Sequence, residues 1–127
     1  MSTTERSIPN VFLPALINGD YTGLCDGDHL ALDNFIEKSE LIKPVFVKID
    51  VQGFELEVLK GSKNLIDEFD YIYVECSFIE LYEKQALADE VITFLNNYSF
   101  KLKGVYNMFY DKKGIAVQAD FLFRKSR

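Results

Sequence analysis

Only two cysteines, Cys25 and Cys76, and a single histidine, His29, occur among the 127 residues of this chain. Two cysteines without metal-ligand spacing exclude a disulfide framework and a cysteine-based metal centre. Cys76 ends an apolar strand pattern and reads as a buried free thiol. His29 lies close to Cys25, Asp26 and Asp28 in no recognised ligand spacing, so that stretch reads as a solvated polar loop, and no metal site is assigned. No apolar run approaches the roughly 20 residues needed to cross a bilayer. The polar start Met1-Ser2-Thr3-Thr4-Glu5-Arg6 is followed by no apolar signal core. The chain is therefore expected to be soluble and cytoplasmic, with no membrane span. Basic residues are also in the minority, 14 against 20 acidic ones, for a net charge of -6. A nucleic-acid binder needs a basic face to neutralise phosphates, so no nucleic-acid partner is expected. The overall field opposes a polyanion but leaves room for a small local basic patch.

Apolar residues make up 48% of the chain and aromatic residues 14%, a composition that builds one packed domain with a single core. Residues 1–29 are irregular in pattern, interrupted by Pro9, Pro14, Gly19, Gly23 and Gly27; residues 30–127 carry the periodic elements. Asp33 is placed to cap a short helix carrying Phe35 and Ile36. Val45 to Val51 reads as a parallel strand covered on both faces, with Lys48 a costly interruption unless its ammonium finds a partner. Phe54, Val58, Leu65, Ile66 and Phe69 follow at helical spacing, with a break at Gly61. A second buried strand runs from Tyr71 to Cys76, and an amphipathic helix from about Ala86 to Asn97. Phe100 to Tyr110 and Ile115 to Arg124 flank Asp111-Lys112-Lys113-Gly114, a hairpin signal. In the second of these runs Val117, Ala119, Phe121 and Phe123 alternate with polar and other residues at the period of a strand. The fold class is α/β, with parallel strands, helices and a C-terminal antiparallel hairpin.

The candidate site lies in Phe46-Val47-Lys48-Ile49-Asp50-Val51-Gln52-Gly53-Phe54-Glu55. A strand ends in one carboxylate, a glycine turn follows, and a helix opens with a second carboxylate. Ligands of open α/β sheets bind beyond the carboxyl ends of the strands, where Asp50 and Glu55 sit. Either could position a substrate hydroxyl or take its proton, and two nearby carboxylates could also hold a divalent cation. The residues alone equally allow Glu55 to stabilise the helix N-terminus and Asp50 to cap the turn. Gly53 provides the tight turn, and Gln52 either donates to a ligand or caps that turn. Glu75 occupies the equivalent end of the next strand, where pairing with Lys48 would satisfy both charges. Tyr106, Phe109 and Tyr110 line an acceptor pocket or pack as strand residues.

This run resembles the signature of the FkbM-type methyltransferases, in which lysine-apolar-aspartate precedes an acidic residue or glutamine, glycine and glutamate. Further matches follow in order: Tyr73-Val74-Glu75-Cys76, Glu80-Leu81-Tyr82, Val105-Tyr106-Asn107 and Gln118-Ala119-Asp120-Phe121-Leu122-Phe123. The resemblance implies a Rossmann-like domain that transfers a methyl group from S-adenosylmethionine to an acceptor, commonly a hydroxyl of a sugar or natural product. It favours a functional role for Asp50. No glycine-rich strand-to-helix turn precedes Val45, so the chain is expected to carry the C-terminal half of the family domain, an incomplete Rossmann-like fold. The alternative is a non-catalytic remnant or interaction module without the cofactor-binding half. An incomplete sheet would leave the Val45–Val51 edge unpaired and open to self-association, unless residues 8–17 fold back to cover it.

Overall fold

The computed structural model of the chain describes residues 15–17, 20–21, 32–34, 36–50 and 53–127. The readings for Cys25, His29, Phe35, Val51 and Gln52 therefore lie outside the described residues. The elements are β1 (Ala15–Ile17), β2 (Asp20–Tyr21), β3 (Phe46–Ile49), α1 (Glu55–Lys60), β4 (Tyr71–Ser77), α2 (Ala88–Asn97), β5 (Phe100–Tyr110) and β6 (Ala116–Lys125), with short 3-10 turns at Leu32–Asn34, Lys38–Glu40 and Ile66–Glu68. The mixed sheet has the order β2-β1-β3-β4-β6-β5. Among the described strands β3 and β4 pair in parallel, whereas β1 with β2, β1 with β3, β4 with β6 and β6 with β5 are antiparallel.

Each element has a local cause. The α1 helix stops where the periodicity predicts: Gly61 follows it, and the Gly61 N–H donates back to the Glu57 carbonyl at 2.9 Å. The α2 helix starts at Ala88, with the Glu90 carboxylate accepting the Leu87 N–H at 3.0 Å. In the hairpin turn, Asp111 Oδ1 accepts the N–H groups of Lys113 and Ile115, at 2.8 and 3.0 Å. Gly114 completes that turn at φ 81°. Asp33 does not cap a helix of its own; its Oδ2 accepts the Asn64 N–H at 3.0 Å, tying the Leu32–Asn34 turn to the segment after α1.

The core lies between the sheet and the helices. Val47 and Ile49 of β3, Ile72, Val74 and Cys76 of β4, and Ala119, Phe121 and Phe123 of β6 are buried against Val58, Leu59, Leu65, Phe69, Val91 and Leu95. Phe69, Phe100 and Phe123 are fully enclosed, and each such burial contributes about 1.5–3 kcal/mol. Cys76 is the buried free thiol expected from its strand pattern.

The opposite face of the sheet carries no helix among the described residues, which corrects the expectation that β3 is covered on both sides. Burial along β3 alternates, with Phe46 and Lys48 exposed and Val47 and Ile49 enclosed. Lys48 therefore keeps its ammonium in water and carries no desolvation cost. The edge of β3 is paired: Ala15, Leu16 and Ile17 stand opposite Ile49, Lys48 and Val47. Of the 8–17 segment named as able to cover that edge, residues 15–17 do so, and residues 8–14 lie outside the described residues.

Candidate active site

Parallel pairing fixes the site. Ile49 stands opposite Val74, so Asp50 and Glu75 follow side by side at the carboxyl ends of β3 and β4. They line an open cleft of about 210 Å3 with Glu55, Ser77, Tyr82, Gln85 and Gln118. Among the described residues, every charged side chain in that lining is a carboxylate.

The two loops that close the cleft are held from opposite sides. After β3, Gly53 adopts φ 103° and its N–H donates to both carboxylate oxygens of Glu55, at 3.2 and 3.1 Å. Glu55 is 4% exposed, so this acid is enclosed at the start of α1. A β-carbon on Gly53 would stand 3.0 Å from the Tyr82 ring; glycine is what lets the two loops meet. After β4, the buried Gln85 amide organises its own loop. Its oxygen accepts the N–H groups of Leu81 and Tyr82, at 2.8 and 3.2 Å, and its nitrogen donates to Ser77 Oγ at 2.8 Å.

A fourth carboxylate adjoins the cleft from β6, where Asp120 stands directly opposite Glu75. Asp120 Oδ2 accepts hydrogen bonds from Tyr73 Oη at 3.0 Å and Asn107 Nδ2 at 2.7 Å. Asn107 lies in a left-handed conformation at φ 54°, within an irregular stretch of β5. Asparagine tolerates that region better than most residues. Burial raises the Tyr73 pKa, and the bond to Asp120 adds to the effect. The Glu75 carboxyl is also pushed up, first by burial and then by the charges of Asp50 and Asp120. Burial pushes the Cys76 thiol up as well, aided by Glu55, Glu75 and Asp120, so it stays a protonated core residue.

Of the residues singled out in the sequence, Asp50, Gly53, Glu55 and Glu75 come together. Lys48 does not join Glu75: the register places it opposite Tyr73, and the charges acting on Glu75 are the two neighbouring carboxylates. Tyr106, Phe109 and Tyr110 lie on β5, each about half exposed, and do not line the cleft. Tyr106 extends a row of rings on the open face with Phe46 and Tyr73. Sequence reasoning missed Ser77, Tyr82, Gln85 and Gln118 as cleft residues and Asp120, Tyr73 and Asn107 as a network. Five of these seven, Tyr73, Tyr82, Asn107, Gln118 and Asp120, fall within the quoted signature matches, which was the available signal. Among the described residues, no group of three or more His, Cys, Asp or Glu is arranged to hold a metal ion, and no helix is long and apolar enough to cross a membrane.

The sequence pattern of the methyltransferase FkbM domain matches residues 5–102. A hexuronic acid methyltransferase, AglP of Haloferax volcanii, is 46% identical over 43 residues, covering 34% of this chain and 18% of that protein. The chain thus spans under a fifth of that relative's length. No solved structure matches the chain. With the family pattern extending over most of its length, the chain belongs to the methyltransferase FkbM domain family.

Proposed function

We propose that this chain transfers a methyl group from S-adenosylmethionine to a hydroxyl of a small-molecule or glycan acceptor, with residues 30–127 forming the C-terminal half of a Rossmann-like domain. The observation that carries this reading is the meeting of Asp50 and Glu75 at the carboxyl ends of two parallel strands. When bound, S-adenosylmethionine supplies a methyl group carried on a positively charged sulfur. The lining fits the cationic part of that molecule, because Asp50, Glu55 and Glu75 are its only charged groups among the described residues. At about 210 Å3 the cleft is below the ~300–1,000 Å3 of sites for drug-sized ligands, so it suits one end of the cofactor or a single sugar-sized group.

The chain's own residues divide the work. Glu75, whose pKa is raised, takes the proton of the acceptor hydroxyl, since a more basic carboxylate is the better general base. Asp50 orients the acceptor. Glu55 holds the Gly53 turn through the N–H it accepts. Lys48 flanks the rim on the open face. Ser77 and Gln118 present polar groups to the hydroxyls of the acceptor.

Hexuronate-bearing glycans are the first acceptors to test, because the relative from Haloferax volcanii is named for that substrate. With methyl-labelled S-adenosylmethionine, the expected result is label in the glycan, reduced about 100-fold or more in Asp50→Asn and in Glu75→Gln. Labelling unaffected by both substitutions would contradict the assigned roles. Absence of both labelling and cofactor binding at millimolar concentration would instead support a non-catalytic interaction module.

A further inference from the structure

The other end of the sheet has the opposite electrostatic character. Cross-strand register sets Lys101 of β5 against Arg124 of β6, and a register shift between Leu102 and Gly104 leaves Lys103 as an extra residue. Such a bulge re-aims a side chain, and here Lys103 lines one cavity with Arg124, Lys125, Ser126 and Arg127, of about 280 Å3. An adjoining cavity of about 320 Å3 shares Arg124, Lys125 and Arg127 and adds Tyr71 and Asp70. The two form one trough on the β5–β6 edge.

Not all of these cations are free to act outward. Lys125 Nζ pairs with Asp67 at 2.9 Å, and Arg127 pairs with Asp70 at 3.0 Å. Lys101, Lys103 and Arg124 have no carboxylate partner among the described residues; Arg124 lies over the Tyr71 ring at 5.9 Å. Like charges on directly opposite strand positions destabilise a sheet, so the Lys101–Arg124 pair is a cost in a chain that has acidic residues to spare. A bound anion would remove that cost. The planar Arg124 guanidinium with the Lys103 ammonium in the same lining matches the oxygens of a phosphate.

We propose that this trough binds a compact phosphate-bearing ligand. It lies four residues along the strands from the level of Glu75 and Asp120, or about 13 Å at the usual rise. The net charge of -6 opposes a long polyanion such as nucleic acid and leaves a small multivalent anion as the occupant.

The test is an amide chemical-shift titration of the full chain with inorganic pyrophosphate at constant ionic strength. The expected result is saturable change centred on residues 101–103 and 124–127, with affinity weakened about tenfold or more when Lys103→Gln and Arg124→Gln are combined. Lys112→Gln with Lys113→Gln, in the exposed hairpin turn, removes the same charge and should leave affinity unchanged. Should loss of Arg124 unfold the chain, Lys101→Gln with Lys103→Gln on the edge strand makes the same measurement. Changes spread over Lys48, Lys63 and Lys112, failure to saturate, or equal weakening in the charge-matched variants would overturn the proposal.

Discussion

Glu75 and Asp120 are direct cross-strand partners on β4 and β6, yet they are treated differently by their surroundings. Asp120 receives hydrogen bonds from Tyr73 and Asn107. Glu75 receives none from the described residues, and has Asp50 beside it on the other side. Two like charges at this spacing disfavour ionisation of whichever acid lacks donors. Glu75 is such an acid: burial is the first cause that raises its pKa, and the charges of Asp50 and Asp120 add to it.

The pH dependence of stability follows from the direction of that shift. Glu75 holds its proton more tightly in the folded chain than at its ordinary value of 4.5. Its favourable contribution is fully present below that value and is lost as pH rises through the higher folded pKa. Glu75→Gln should therefore melt higher than the parent at pH 7, by about 3 °C, and the gain should vanish below pH 4.5. Thermal melts across pH 3.5–8 check this; an unchanged or lower melting temperature at neutral pH would count against the repulsion.

Asp70 gives the opposite sign. Burial acts to raise its pKa, but the Val45 N–H, Arg127 and Lys43 together outweigh burial and lower it below 3.8. The stability it provides is present above 3.8 and is lost as pH falls through the folded pKa. Asp70 Oδ2 accepts the Val45 N–H at 2.7 Å where β3 begins. Asp70→Asn should cost about 1–2 kcal/mol at pH 7 in denaturant unfolding, and less near pH 3. A constant cost across that range would show that charge is not the cause.

Much of this fold was legible in the sequence. The alternation of Val117, Ala119, Phe121 and Phe123 gave the buried face of β6, and Gly61 marked the end of α1. The Asp50-to-Glu55 run located the rim of the cleft. What was not legible depended on pairing between distant segments. The Val45–Val51 run read as doubly buried because a short apolar strand with one lysine looks the same whether one face is open or neither is. Lys48 was matched to Glu75 because strand register is a tertiary property, and a shift of two residues changes the partner. The bond from Tyr73 to Asp120 joins residues 47 positions apart, and no local pattern encodes it.

Gly53 offers a test of how the two cleft loops meet. Alanine there must adopt φ 103° and bring its β-carbon to 3.0 Å from the Tyr82 ring. The expected cost of Gly53→Ala is about 2–4 kcal/mol. Gly114→Ala shares a positive φ but meets nothing within 4 Å, and should cost about 1–2 kcal/mol. Adding Tyr82→Ala should recover part of the Gly53→Ala loss and none of the Gly114→Ala loss. Equal costs at the two glycines would remove the Tyr82 contact as an energetic factor.

Asn107→Ala isolates the support of the acidic row. Removing its amide takes one donor from Asp120 while the Tyr73 bond remains, so stability should fall by about 0.5–1.5 kcal/mol. Relief of the left-handed backbone does not follow, because alanine is strained there as well. Chemical denaturation checks the size of the loss, and an unchanged midpoint would show that the Asn107 bond contributes little.

The most direct measurement is calorimetric titration of the full chain with S-adenosylmethionine. Saturable heat is expected, with affinity weakened about tenfold when Asp50→Asn and Glu75→Gln are combined. No heat and no thermal shift at millimolar ligand, or binding indifferent to both substitutions, would contradict the assignment of this cleft to methyl transfer.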